Sequence, residues 1–182
     1  EKWEILMIDD GSTDQTVAKA KQLEKKFPNV KLISHQINRG YGAALKTGFE
    51  NAKYEYVVFT DGDLQFDFGE VTHFLEKVDT ADIVIGYRKK RDDTFFRHIL
   101  MILHRVWSFI FFGVFVRDID CGFKLFRKSA LEEISPLRSE GAIITTEILA
   151  KAKSKKLKIA QVGVNHYSRK FGESSGGNVS VI

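Results

Sequence analysis

The sequence contains a single cysteine, Cys121, so no internal disulfide can form. That excludes a disulfide-stapled scaffold and makes a reducing compartment the simpler setting. No apolar run is long enough to cross a bilayer. The charge-free stretch 106–116 falls well short of the about 20 residues a spanning helix needs. No internal repeat and no low-complexity linker divides the chain. Charge of either sign is also missing in excess: 28 Lys and Arg stand against 24 Asp and Glu, a net of +4. Such a balance tolerates phosphates or anionic lipid without requiring them, and it implies no nucleic-acid partner. With 182 residues, 43% hydrophobic and 29% charged, the chain has enough material for one folded domain with a real core. Trp3–Ile8 reads at once as a buried strand with no initiator Met before it, and 178–182 stops without a cap. The expectation is one domain over 1–182, truncated at its N-terminus.

Short apolar runs alternate with helical patterns through the first half. Runs at Ile5–Ile8, Val30–Ser34, Tyr56–Thr60 and Ile83–Gly86 read as strands. Between them, Ser12 and Gln15 have the spacing of a capping box. Val17, Ala20, Leu23 and Phe27 follow at helical spacing, and Pro28 closes that helix. Further helices are expected over Gly42–Ala52 and Phe68–Lys77. This alternation predicts βαβ units and a mainly parallel sheet. In the second half, Asp120–Arg127 alternates like a strand. A helix near Thr145–Lys153 and a strand near Lys158–Val164 come next, and the Gly/Ser-rich stretch from Arg169 to Asn178 reads as a loop.

Polar clusters directly follow three of the strands: Asp9-Asp10-Gly11-Ser12, Asn38-Arg39-Gly40-Tyr41-Gly42 and Asp61-Gly62-Asp63-Leu64-Gln65. In open α/β sheets ligands bind outside the carboxyl ends of the strands, so three clusters at that edge mark a candidate site. Asp61 and Asp63, one residue apart across Gly62, can converge on a hard cation such as Mg²⁺ or Mn²⁺, with Gln65 adding a carbonyl oxygen. A plain turn is the competing reading, since Asp and Gly are turn formers. Of the adjacent acids Asp9 and Asp10, one can accept hydrogen bonds from a base or ribose. Capping of the following helix is the alternative. Gly40 and Gly42 either open an anion-binding helix terminus or serve a tight turn.

Together these clusters resemble family 2 glycosyltransferases of GT-A fold. Ile85-Gly86-Tyr87-Arg88, Asp120-Cys121-Gly122-Phe123-Lys124-Leu125-Phe126-Arg127 and His166-Tyr167-Ser168-Arg169 narrow the resemblance to the dolichol-phosphate mannosyltransferase or polyprenyl-phosphate glycosyltransferase branch. It implies a Rossmann-like three-layer α/β sandwich with a mainly parallel central sheet. It implies a nucleotide-sugar donor held by Ile8, Asp10, Asn38, Gly40, Asp61, Gly62 and Asp63. Asp61, Asp63 and Gln65 are the implied metal ligands. Asp63, Arg88, Arg127 and Arg169 are the implied catalytic groups, the arginines as phosphate partners. The implied reaction inverts the anomeric carbon by direct displacement, with a polyprenyl phosphate as acceptor at the cytoplasmic face of a membrane. Glu147 lies where related enzymes place an acid, or is a solvated helix carboxylate. Two departures stand out. The family's opening strand and Pro-x-Tyr-Asn-Glu loop are missing, and 172–178 lacks the lysine of a Gly-x-Ser-Lys ending. The second points away from mannose and dolichol, toward a bacterial branch using another sugar.

Residues 95–116 are densely apolar. Arg97, His98, Met101, His104, Arg105 and Ser108 fall three or four apart and form one narrow, mostly polar stripe. The expectation is a helix lying in the membrane interface with Trp107 at headgroup depth. A buried core helix is the alternative. The run Arg88-Lys89-Lys90-Arg91 can meet anionic lipid or an acceptor phosphate, or be an ordinary solvated loop. Two other functions stay open: transfer to a polysaccharide or other non-lipid acceptor, and a non-catalytic nucleotide-binding module. A nucleotidyltransferase could also use paired acids and a Gly loop, but through the resemblance the Asp120–Arg127 and Arg169 motifs speak against it.

Overall fold

A computed structural model of the chain describes residues 2–89, 102–103, 106–107, 109–169. Within them the chain packs as two compact units. One comprises residues 2–55 and 137–144, the other 56–136 and 145–169.

The first unit holds a two-stranded parallel sheet, β1 (Ile5–Asp9) beside β2 (Val30–Ser34), with register Ile5↔Val30 through Asp9↔Ser34. Two helices, α1 (Thr16–Lys26) and α2 (Tyr41–Asn51), pack on the strands. Helix α1 begins without the expected capping box. Gln15 is its N-cap and makes no side-chain cap bond. Asp14 Oδ1 instead accepts the Thr16 N–H at 2.9 Å. A methyl at Gly48 on α2 would make only an ordinary contact with Ile8 Cγ1, at 3.5 Å, so packing against β1 does not require glycine there.

The second unit is built on a four-stranded sheet in the order β3-β5-β4-β6: β3 (Tyr56–Thr60), β4 (Ile83–Arg88), β5 (Phe123–Arg127) and β6 (Ile159–Val164). β5 runs antiparallel to both β3 and β4, and β6 runs parallel to β4. Three strands therefore point one way, and their C-terminal ends share an edge with the start of β5. A short 3-10 turn (Phe68–Glu70), α3 (Val71–Leu75), α4 (Lys128–Ile134) and α5 (Ile144–Ser154) accompany the sheet. The sequence reading missed α4, a seven-residue helix whose buried face is Ala130, Leu131 and Ile134.

β5 is interior, buried on both faces, as its apolar run requires. On one face Phe123 and Leu125 join Phe74, Ala81, Val84, Cys121, Val162 and Val164 in a single core. Phe74 stacks on Phe123 with centroids 4.5 Å apart. The other face carries Phe126, stacked on Phe59, and the fully buried Lys124.

In the segment read as an interfacial helix, residues 102–103, 106–107 and 109–112 are helical. Their apolar side chains are exposed, Ile110 at 67% and, just beyond, Phe115 at 72%. The buried-core alternative does not hold for them. Trp107 packs on Phe111 and Phe112. The polar stripe Arg97, His98, Met101, His104, Arg105 and Ser108 lies outside the described residues, as do 90–93 and the 172–178 ending. No helix among the described residues is long and apolar enough to cross a membrane.

Phe74→Ala should cost about 3–5 kcal/mol, because the ring is wholly buried against Phe123 and cannot be replaced by collapse of a strand. Chemical denaturation of the variant checks this through its midpoint.

Candidate functional site

In the first unit the two adjacent acids take different jobs. Asp10 holds the loop after β2. Its Oδ1 accepts the Arg39 N–H at 2.9 Å and its Oδ2 the Gly40 N–H at 2.7 Å. Oδ1 also lies 2.6 Å from His35 Nδ1, and His35 Nε2 lies 2.8 Å from Thr47 Oγ1 on α2. An ionised carboxylate only accepts, so Nδ1 donates in that bond. Burial pushes the Asp10 pKa up, but the Arg39, His35 and Gly40 bonds together outweigh it and hold the carboxyl below its ordinary value. Asp9 is more buried and less satisfied. Its Oδ1 accepts the Ser12 N–H at 3.3 Å. Its Oδ2 is the one buried side-chain polar atom among the described residues that has no hydrogen-bond partner.

Gly40 and Gly42 are explained by a backbone neighbour that the sequence did not reveal. A Cβ on Gly40, whose φ is 97°, would lie 2.6 Å from the Glu140 carbonyl oxygen, and one on Gly42 2.7 Å from that of Ser139. The Gly42 N–H donates to Glu140 O at 2.7 Å and the Ala43 N–H to the same atom at 3.3 Å. The first N–H groups of α2 are thus capped by a carbonyl of residues 137–144, where an anion had been one of two readings. Gly11, at φ 76°, leaves room for the Ile37–Asn38 backbone, with a Cβ there only 2.6 Å from Asn38 N.

The second unit gathers its polar groups on the edge where β3, β4 and β6 end and β5 begins. Asp61 follows β3, its N–H donating to Gly122 O at 3.2 Å. Its carboxylate fills the space a side chain on residue 122 would need: a Cβ there would lie 2.0 Å from Asp61 Oδ2. Asp63 Oδ1 accepts the Gln65 N–H at 3.0 Å, closing a tight turn with Leu64 at φ 61°. Asp63 Oδ2 pairs with Arg169 Nη2 at 2.8 Å. Gln65 is doubly joined to Tyr167, its Nε2 donating to Tyr167 O and its carbonyl accepting the Tyr167 N–H, both at 2.9 Å. Gly62 has open space around its α-carbon.

Arg88, at the end of β4, is held by Asp118, a residue the sequence reading did not single out. Nε and Nη2 each donate at 2.7 Å to its two oxygens, and the Arg88 N–H adds a bond at 3.3 Å. Burial alone would lower the Arg88 pKa, but the Asp118 carboxylate outweighs it and raises the value. Beneath this edge Lys124 donates to the Cys121 carbonyl and sits 5.4 Å from the Phe59 ring centroid. Burial pulls its pKa down, against the opposing pull of Cys121, Asp118, Asp120 and Asp61. Burial pushes the Cys121 thiol up to about 11, so it is an inert core residue.

Arg127 requires a correction. Pairing of Tyr56 with Arg127 and of Thr60 with Phe123 puts Arg127 at the far end of β3 from Asp61, about 17 Å away along a five-residue strand. There it donates to Tyr56 Oη and to the Val78 carbonyl. It ties the sheet together and is not at the edge holding Asp61 and Asp63. Glu147, on α5, pairs with Lys151 at 2.8 Å.

A metal fits the second unit's edge only in part through protein groups. Among the described residues no cluster of three or more His, Cys, Asp or Glu side chains offers a full set of ligands. Two carboxylates with open positions left over are what Mg²⁺ or Mn²⁺ takes when substrate phosphates complete the shell. The room that Gly122 leaves for Asp61 fits that donor set.

Comparison with known proteins agrees with this architecture. The family model described as glycosyl transferase family 2 matches residues 1–135. The dolichyl-phosphate beta-glucosyltransferase of Saccharomyces cerevisiae is 30% identical over 90% of this chain and 57% of its own length. That of Dictyostelium discoideum is 34% identical over 90% of this chain and 54% of its own. The chain thus spans a little over half the length of these relatives. Among solved structures, the mannosyltransferase from Pyrobaculum calidifontis in complex with GDP-Man and Mn2+ superposes with a TM-score of 0.65. It is 20% identical, covering 93% of this chain and 49% of that one, a likeness of fold.

The depressed Asp10 pKa makes a pH-dependent prediction. Its contribution is complete above the unfolded carboxyl value of about 3.9 and is lost as pH falls through the lower folded value. Asp10→Asn should therefore destabilise the protein by about 1–3 kcal/mol at neutral pH, the scale of hydrogen bonds to a charged group. The gap to wild type should narrow below pH 4. Urea midpoints measured at pH 7 and pH 3 test both parts.

Proposed function

The chain belongs to glycosyl transferase family 2, and on that premise we propose that its parent protein moves a sugar from a nucleotide-diphosphate sugar to a polyprenyl phosphate at a membrane surface. The observation that carries the donor half is the pair Asp61 and Asp63 at the C-terminal strand edge, with Asp61 seated against Gly122. Asp61 and Asp63 would hold Mg²⁺ or Mn²⁺, with Gln65 fixing the turn after Asp63. When bound, the cation supplies positive charge to the departing diphosphate. In the first unit, Ile8, Asn38 and Gly40 frame the nucleoside contact. Asp10 keeps that loop in place.

The chemistry asks little general-base help of the protein. A phosphate monoester is largely ionised at neutral pH, its second pKa being about 6. One of its oxygens bonds to the anomeric carbon as the bond from that carbon to the diphosphate oxygen breaks, with inversion. Arg88, oriented by Asp118, and Arg169 are the cations that stabilise phosphate charge. The acceptor half rests on the exposed apolar residues between 102 and 115, which suit an acyl surface at the cytoplasmic face of a membrane. The names of the 30–34% identical relatives support the same acceptor class. Neither sugar nor base is fixed by these residues.

The test is incubation of the full-length protein with Mn²⁺, a panel of nucleotide-sugars and polyprenyl phosphate in vesicles, with extraction of lipid-linked sugar. Asp63→Ala should lower its formation by at least about 100-fold. Full activity in that variant would sink the metal assignment. Transfer to a polysaccharide without any lipid would replace the acceptor.

A further inference from the structure

Asp63 already has a cation. Its Oδ2 pairs with Arg169 Nη2 at 2.8 Å, with the two side chains 17% and 32% exposed. Its Oδ1 accepts the Gln65 N–H, so the carboxylate is engaged at both oxygens. A guanidinium and a divalent ion on the Asp63 carboxylate set three positive charges against the two negative charges of Asp61 and Asp63, so the cations repel and compete for Oδ2. One cation must give way for the other to bind.

The segment carrying Arg169 is anchored independently of that ion pair. Tyr167 is doubly bonded to Gln65. Asn165 donates to Glu70 from its backbone at 2.9 Å and from Nδ2 at 2.8 Å. His166 packs edge-on to Phe66 with centroids 5.1 Å apart. Residues 165–167 are therefore held against the Asp61–Gln65 turn by contacts that do not involve the Arg169–Asp63 pair.

We propose that Arg169 is an exchangeable counter-ion: it neutralises Asp63 until a divalent cation takes the carboxylate, and the released guanidinium then turns to the diphosphate that arrives with the metal. The exchange would couple metal and donor binding. Metal alone must compete with Arg169, whereas metal with a diphosphate gives the displaced arginine a new anionic partner. The inference rests on the metal reading of Asp61 and Asp63.

Calorimetric titration of the full-length protein with Mn²⁺ alone, and with nucleoside diphosphate in saturating Mn²⁺, tests it. Arg169→Gln should bind Mn²⁺ alone roughly three- to fivefold more tightly than wild type, the scale of a partly exposed ion pair. The same variant should bind the diphosphate more weakly. Arg169→Lys, which keeps the charge, should return Mn²⁺ affinity toward wild type and guard against a folding artefact. Unchanged or weaker Mn²⁺ binding in Arg169→Gln, with binding lost in Asp61→Asn, overturns the exchange alone. Wild-type Mn²⁺ affinity in both Asp61→Asn and Asp63→Asn overturns the metal reading and the exchange with it.

Discussion

The candidate site in the second unit depends on one close approach, that of the Asp61 carboxylate to Gly122. The Asp61 N–H donates to the Gly122 carbonyl, and the Asp61 side chain then occupies the volume where any other residue at 122 would carry its Cβ. This fixes the first acid relative to the start of β5, the interior strand. Because β5 is antiparallel to both neighbours, its beginning lies at the ends of β3 and β4. That single reversal brings Asp118, Cys121 and Gly122 to the edge already holding Asp61, Asp63 and Arg88. The core beneath, with Phe123 and Leu125 on one face and Lys124 and Phe126 on the other, keeps the strand from shifting. A one-residue slip would exchange those faces and place Lys124 among the aromatics around Phe74.

The first unit solves a different problem with similar means. Its loops must present polar groups without leaving backbone unsatisfied. Asp10 does this for the Arg39 and Gly40 N–H groups, and Glu140 O does it for the start of α2. Glycine at 40 and 42 is required by the nearness of residues 139 and 140, a packing reason that stands without any ligand. Asp9 is the exception to this economy, with one buried oxygen unpaired. Such an atom costs stability.

Much of this was legible in residue order. The runs Val30–Ser34 and Tyr56–Thr60 match β2 and β3 because each is short, apolar and bounded by turn or polar residues. The clusters after β1, β2 and β3 fall where the strand-edge rule puts them. Other features were not legible, for physical reasons. Strand pairing is non-local, so the sequence pattern did not reveal that β1 and β2 form one sheet and β3–β6 another. For the same reason Arg127, at the end of an apolar motif, was grouped with the phosphate partners although antiparallel pairing carries it to the far edge. The Ser12–Gln15 spacing suited a capping box, but Asp14 caps the Thr16 N–H instead. The α2 cap was hidden because a backbone carbonyl has no sequence signature. Asp118 had one weak signal, a buried-strand arginine at 88 that needs a counter-charge.

The central claim, that the seat at Gly122 makes Asp61 a metal-binding carboxylate, is tested most directly by calorimetric Mn²⁺ titration of Gly122→Ala, with a parallel melting curve to establish that the variant is folded. A methyl at 2.0 Å from Oδ2 must displace the Asp61 side chain. The account predicts a folded protein whose Mn²⁺ affinity falls by at least about tenfold, the loss expected when a metal ligand's support is removed. Wild-type affinity in the folded variant would contradict it.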